Sequence, residues 1–153
     1  NMLDLEIKEA LFRQCEAFAN KRLQTVEAVI SSNQLALQSE TKSSAGDKHE
    51  TGRAMLQLEM EKAGQQLAGI MQMKEILAKV DLLKTSKNVR LGSIIFTEKV
   101  NYFLSISAGQ LFVSDKTYFA VSVSSPIGKL LLGKQENDVI SFNGMLYKVQ
   151  KIV

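Results

Sequence analysis

The chain of 153 residues has one cysteine, one proline, one histidine and no tryptophan. A lone thiol, Cys15, excludes an intrachain disulfide framework and suits a reducing cytoplasm. One thiol and one imidazole also leave a structural Cys/His zinc site short of ligands. No apolar stretch approaches the roughly 20 residues that a membrane span needs. The start does not resemble a secretory signal, so a cytoplasmic protein without membrane contact is expected. Met2 fits a natural initiator, and nothing is read into Asn1. No glycine loop of the phosphate-cradling kind is present, nor a Ser/His/Asp set spaced for nucleophilic catalysis. The net charge of +3 is too mild to argue for nucleic acid.

What is present divides near residue 88. Only Phe12 and Phe18 of the Phe and Tyr residues precede that point; the other eight follow it. Residues 1–88 carry 12 Lys/Arg and 12 Asp/Glu, whereas residues 89–153 carry 7 and 4. The first part lacks proline and is rich in Ala, Leu, Gln, Glu and Lys, which favours helix. The second is rich in Val, Ile, Phe, Tyr and Ser, which favours sheet. An α+β protein is expected.

In the first part Leu3, Ile7, Ala10 or Leu11, Cys15, Phe18, Arg22 or its neighbour Leu23, Val26 and Val29 recur about every three or four residues, and Leu37 lies two turns further on. That is one apolar stripe on a helix from about Leu3 to about Leu35. A second stripe runs through Leu58, Ala63, Leu67, Ile70, Lys74, Leu77 and Val80. The polar run Gln38 to Gly46 separates them. Two helices with one narrow seam each read as an antiparallel coiled-coil hairpin over residues 1–80, with its tip at about 38–50. Each arm of about 30 residues would be a rod of roughly 45 Å. Residues 81–88 read as a linker.

Residues 89–153 read as a small antiparallel sheet around one short helix. Strands are expected at Leu91–Thr97, Tyr102–Ser107, Gln110–Ser114 and Tyr118–Val123. Asn143-Gly144 between Asp138–Phe142 and Met145–Ile152 signals a type I′ hairpin. The helix is well punctuated: Ser125 can cap it, Pro126 suits its first turn and Gly133 its end.

The run Ser124-Ser125-Pro126-Ile127-Gly128-Lys129-Leu130-Leu131-Leu132-Gly133-Lys134, followed by Asn137-Asp138-Val139, resembles the signature of the bacterial Gre transcript-cleavage factors. It lies in their FKBP-like C-terminal domain. Val89-Arg90-Leu91-Gly92-Ser93 resembles the strand that opens that domain. Gly46-Asp47 with Glu50 is similar to the Gly-Asp-x-x-Glu at the tip of the Gre coiled coil. The resemblance implies a partner, bacterial RNA polymerase, engaged at its secondary channel, with indirect contact to nascent RNA. It implies docking through exposed residues of the Ser125-Pro126-Ile127 turn. It further implies that Asp47 and Glu50 act in trans, helping to hold an Mg²⁺ shared with the polymerase active site, so that backtracked RNA is cleaved. No cofactor and no enzymatic activity are expected of the chain alone, as a monomer or weak dimer.

Alternatives stay open. Asp47-Lys48-His49-Glu50 also has the spacing of a capping box. Thr51-Gly52-Arg53-Ala54 stands where the family has Asn-Ala-Glu-Tyr, which favours a regulator that occupies the channel without supporting cleavage. A helical interaction module and a prolyl isomerase are further readings, the latter on fold alone. Cys15 reads as buried and inert, His49 as a solvated first-turn residue, and Met55, Met60, Met71 and Met73 as hairpin packing.

Overall fold

A computed structural model describes residues 2–42 and 47–153, with side chains for 2–39 and 50–153. Two long helices, α1 (Asp4–Lys42) and α2 (Asp47–Ala78), come first. A six-stranded sheet follows: β1 (Ile94–Thr97), β2 (Asn101–Ser105), β3 (Gly109–Val113), β4 (Lys116–Ser122), β5 (Val139–Phe142) and β6 (Met145–Ile152). A short helix, α3 (Pro126–Leu131), sits between β4 and β5. The α+β class is as expected. The chain divides into two compact units, Ala19–Met73 and a second made of residues 1–18 with 74–153.

In the first unit both helices feed one small core. Val26, Ala63 and Ile70 are buried together, with Leu23, Ile30 and Leu67 packed against them. Along α1 the covered positions Ala19, Leu23, Val26, Ile30, Asn33 and Leu37 alternate steps of four and three, the spacing of a heptad seam. The expected stripe through Phe18 and Val29 is therefore displaced by one residue, while of the alternatives Arg22 and Leu23 it is Leu23 that packs in the seam; Val29 is 41% exposed. Val29 and Ile30 are both apolar, and a three-or-four spacing passes through either. Along α2, Leu56, Met60, Ala63, Leu67, Ile70, Lys74 and Leu77 keep the same alternation, and Leu58 points to solvent. Helix α1 also outruns its expected end at Leu35, because polar residues without Gly or Pro do not stop a helix.

Asn33 is the polar member of this seam, 7% exposed, and its Nδ2 has no partner among the described residues. Such a residue fixes register at a cost in stability. Asn33→Leu is expected to stabilise the protein by about 1–2 kcal/mol, since an unsatisfied buried amide is replaced by apolar packing. Urea unfolding measures this, and a lower midpoint would show that the amide is satisfied in solution.

In the second unit the strand order is β3-β4-β2-β1-β6-β5. The sheet is mixed, which corrects the expected antiparallel one. Strand β4 pairs antiparallel with β3 (Gln110 opposite Phe119) but parallel with β2 (Tyr102 opposite Phe119). Sequential strands usually neighbour one another; here the β3–β4 hairpin folds back so that β4 enters between β3 and β2. Central β2 is buried on both faces: Tyr102, Phe103, Leu104 and Ser105 are all covered.

One face holds Ile95, Leu104, Ile140 and Val149 under Ile127 and Leu131 of α3. The other meets the start of α1, where Cys15 Sγ lies 3.6 Å from Ser105 Oγ. Gln14 completes this contact: its Nε2 donates to the Phe112 carbonyl at 2.9 Å, and Phe112 N–H donates to its Oε1 at 3.4 Å. A side-chain amide thus pairs with edge strand β3 as a neighbouring strand would, which blunts an otherwise open edge. At the far edge, Asn143 and Gly144 have φ of 53° and 75°, as the expected type I′ turn requires.

Candidate functional site

The turn before α3 is built by serines. Ser125 Oγ accepts from Gly128 N–H at 3.1 Å and donates to the Ser122 carbonyl at 2.6 Å. Ser124 N–H donates to Ser122 Oγ at 3.1 Å, and the two hydroxyls lie 2.8 Å apart. Ser125 is the N-cap, with extended φ −71° and ψ 159°, and Pro126 opens the helix. This agrees with the punctuation read from sequence. Gly128 is required by proximity: a Cβ there would fall on the Ser122 carbonyl oxygen. At the other end Gly133 has φ 83°, and Val89 and Gly133–Lys134 exchange two backbone hydrogen bonds of 2.8 Å.

The three residues implied for docking therefore divide. Pro126 is exposed and Ser125 half-buried, but Ile127 is 8% exposed and belongs to the core with Leu131. Ile127 is unavailable to a partner; Ser124, Pro126, Lys129 and Leu130 form the open side of this turn. Leu130 and Leu132 are exposed apolar residues there, and Lys134 is half-buried.

At the other candidate position α2 begins at Asp47. The side chains of Asp47 and His49 lie outside the described residues. Glu50 is exposed, and Arg53 one turn on is half-buried. Among the described residues no group of three His, Cys, Asp or Glu is arranged to hold a metal ion. Met60 and Met73 are half-buried, whereas Met55 and Met71 face solvent, against the packing expected of all four.

Cys15 is fully buried, and burial pushes its thiol up to about 11, against a small opposing pull from the Ser105 hydroxyl. At pH 8 about one molecule in a thousand then carries the thiolate. Alkylation of the native protein by iodoacetamide is expected to run at least about a hundredfold slower than that of free cysteine. A rate near the free one would contradict this packing.

Two features escaped the sequence. Lys8, 3% exposed, occupies the stripe position one turn before Leu11. Burial and the Arg90 guanidinium depress its ammonium, while Asp4 and Asp81 pull the other way. Its position on an apolar stripe was the available signal. The second is a cavity of about 560 Å³ lined by Asp4, Phe96, Ser114, Lys116, Tyr118 and Lys151, among others. Lys151 Nζ is 3.4 Å from an Asp4 oxygen and 5.7 Å from the centre of the Phe96 ring. The Tyr118 ring meets Phe96 edge-on at 6.1 Å. Its hydroxyl is buried without a partner among the described residues, and burial, then the nearby Asp4 charge, raise it above the usual tyrosine range. No local signal joins residues so distant in sequence.

No family model matches the chain, and comparison with curated proteins gives no match.

Proposed function

We propose that the chain binds bacterial RNA polymerase at its secondary channel and stimulates cleavage of backtracked RNA. The observation that carries this reading is the position of the Gly46-Asp47-x-x-Glu50 run: Asp47 is the first residue of α2, directly after the short connection between the two long helices. We read those helices as an antiparallel coiled coil. Val26 lies as far before the last residue of α1 as Ala63 lies beyond the first of α2, and both share one core. The sheet with α3 on one face is read as an FKBP-like docking domain, offering Pro126, Lys129 and Leu130.

The donor chemistry fits the implied ion, since Mg²⁺ is hard and prefers carboxylate oxygen and water. Asp47 and Glu50 would hold it together with acids of the polymerase, where it would supply one of the two roles of a metal pair, activating water or stabilising the leaving oxygen. The protein's own residues supply reach and charge; the reaction belongs to the polymerase. Arg53, a base where the family has an acid, favours a second reading in which the chain fills the channel without promoting cleavage.

Binding is tested by titrating fluorescently labelled full-length chain with purified polymerase core. Saturation below about 1 µM, reversed by unlabelled chain, is the expected result. No saturable binding at about 10 µM would remove both readings.

A further inference from the structure

We propose that the cavity between the first turn of α1 and strands β1, β3, β4 and β6 binds a small organic anion. Its carboxylate would sit near Lys116 and Lys151, with its apolar body against Ile7, Phe96 and Val113. The volume, about 560 Å³, lies in the range of small-molecule sites. All of its walls belong to one compact unit.

Three observations select the ligand's chemistry. Tyr118 is wholly buried, yet its hydroxyl lacks a partner among the described residues. A donor left so destabilises the fold, and an acceptor atom on a ligand removes that cost. Next, two lysines and one carboxylate, Asp4, line the cavity, an excess of positive charge that favours an anion over a cation. The Asp4–Lys151 pair is about half exposed on both sides, so turning Lys151 toward a ligand sacrifices little. Finally, Ser114 Oγ donates to Met2 Sδ at 2.7 Å, a weak acceptor that a carboxylate oxygen would outcompete. The half-buried Phe96 ring adds an aromatic wall, so an aryl carboxylate suits the site better than a bare anion.

The test uses isotope-labelled full-length chain and three probes: benzoate, benzyl alcohol, which has the ring without the charge, and inorganic phosphate, which has charge without the ring. Benzoate is expected to shift the amides of Ser114, Lys116, Gln150 and Lys151 and to saturate in the millimolar range, about tenfold more tightly than either control. Tyr118→Phe is expected to melt at a higher temperature without ligand but to bind benzoate about tenfold more weakly. Lys151→Met should show a similar loss. Unmoved amides at about 10 mM benzoate would overturn the proposal. So would equal binding of benzyl alcohol or phosphate, or undiminished affinity in Tyr118→Phe.

Discussion

Gly128→Ala is expected to destabilise the protein by about 3 kcal/mol or more, at the upper end of what overpacking does. The added methyl group would occupy the place of the Ser122 carbonyl oxygen, and would also reach to 3.0 Å from Ser125 Oγ. Neither atom can retreat cheaply. The Ser122 carbonyl accepts from both the Ser125 hydroxyl and the Ser125 amide, and Ser125 caps the helix. Moving either opens the turn and lifts Ile127 and Leu131 from the core they fill. The informative control is Gly69→Ala in α2, where a methyl group meets nothing within 4 Å. There alanine's better helix propensity should stabilise by about 0.5–1 kcal/mol. Urea denaturation of both variants separates the causes: two small shifts of the same sign would show that the α3 turn is more open than described here.

The second large effect concerns the helix start at residue 47. Replacing both carboxylates, Asp47→Ala with Glu50→Ala, is expected to lower stimulated RNA cleavage by about a hundredfold while leaving polymerase affinity within about twofold. The asymmetry follows from where the residues sit. Glu50 is exposed, outside the covered seam that runs through Leu56, Ala63 and Ile70, and Asp47 is the first residue of α2. On the proposed reading, removing both carboxylates takes away the oxygens that would hold the ion. Loss of a capping interaction would instead cost about 1 kcal/mol of stability and appear as a lower midpoint in the free protein. Equal loss of binding and cleavage would assign these acids to docking rather than to the ion.

Much of the fold was legible because its signals are local. Ser125, Pro126 and Gly133 punctuate α3 through their own backbone preferences, and Asn143-Gly144 adopts positive φ without help from the rest of the chain. The misread features depend on partners distant in sequence. Nothing near Lys116–Ser122 says that β4 will lie parallel to β2; that follows from which neighbour buries Phe103 and Leu104. The choice between Val29 and Ile30 for the seam likewise rests with α2. Ile127 shows the limit of carrying a surface over by resemblance, because the same run that resembles a docking turn also supplies a core residue. The cavity unites residues from α1, β1, β3, β4 and β6, and only the folded chain brings Asp4 beside Lys151.

Cleavage of RNA in a stalled, backtracked complex of bacterial polymerase, with Mg²⁺ and with or without the full-length chain, tests the central claim most directly. The chain is expected to shorten the lifetime of the backtracked RNA 3′ end by at least about tenfold, and the Asp47→Ala/Glu50→Ala variant to compete with it for the same complex without accelerating cleavage. An unchanged cleavage rate at saturating, demonstrably bound chain would contradict that claim, leaving a protein that occupies the channel and does not complete the site.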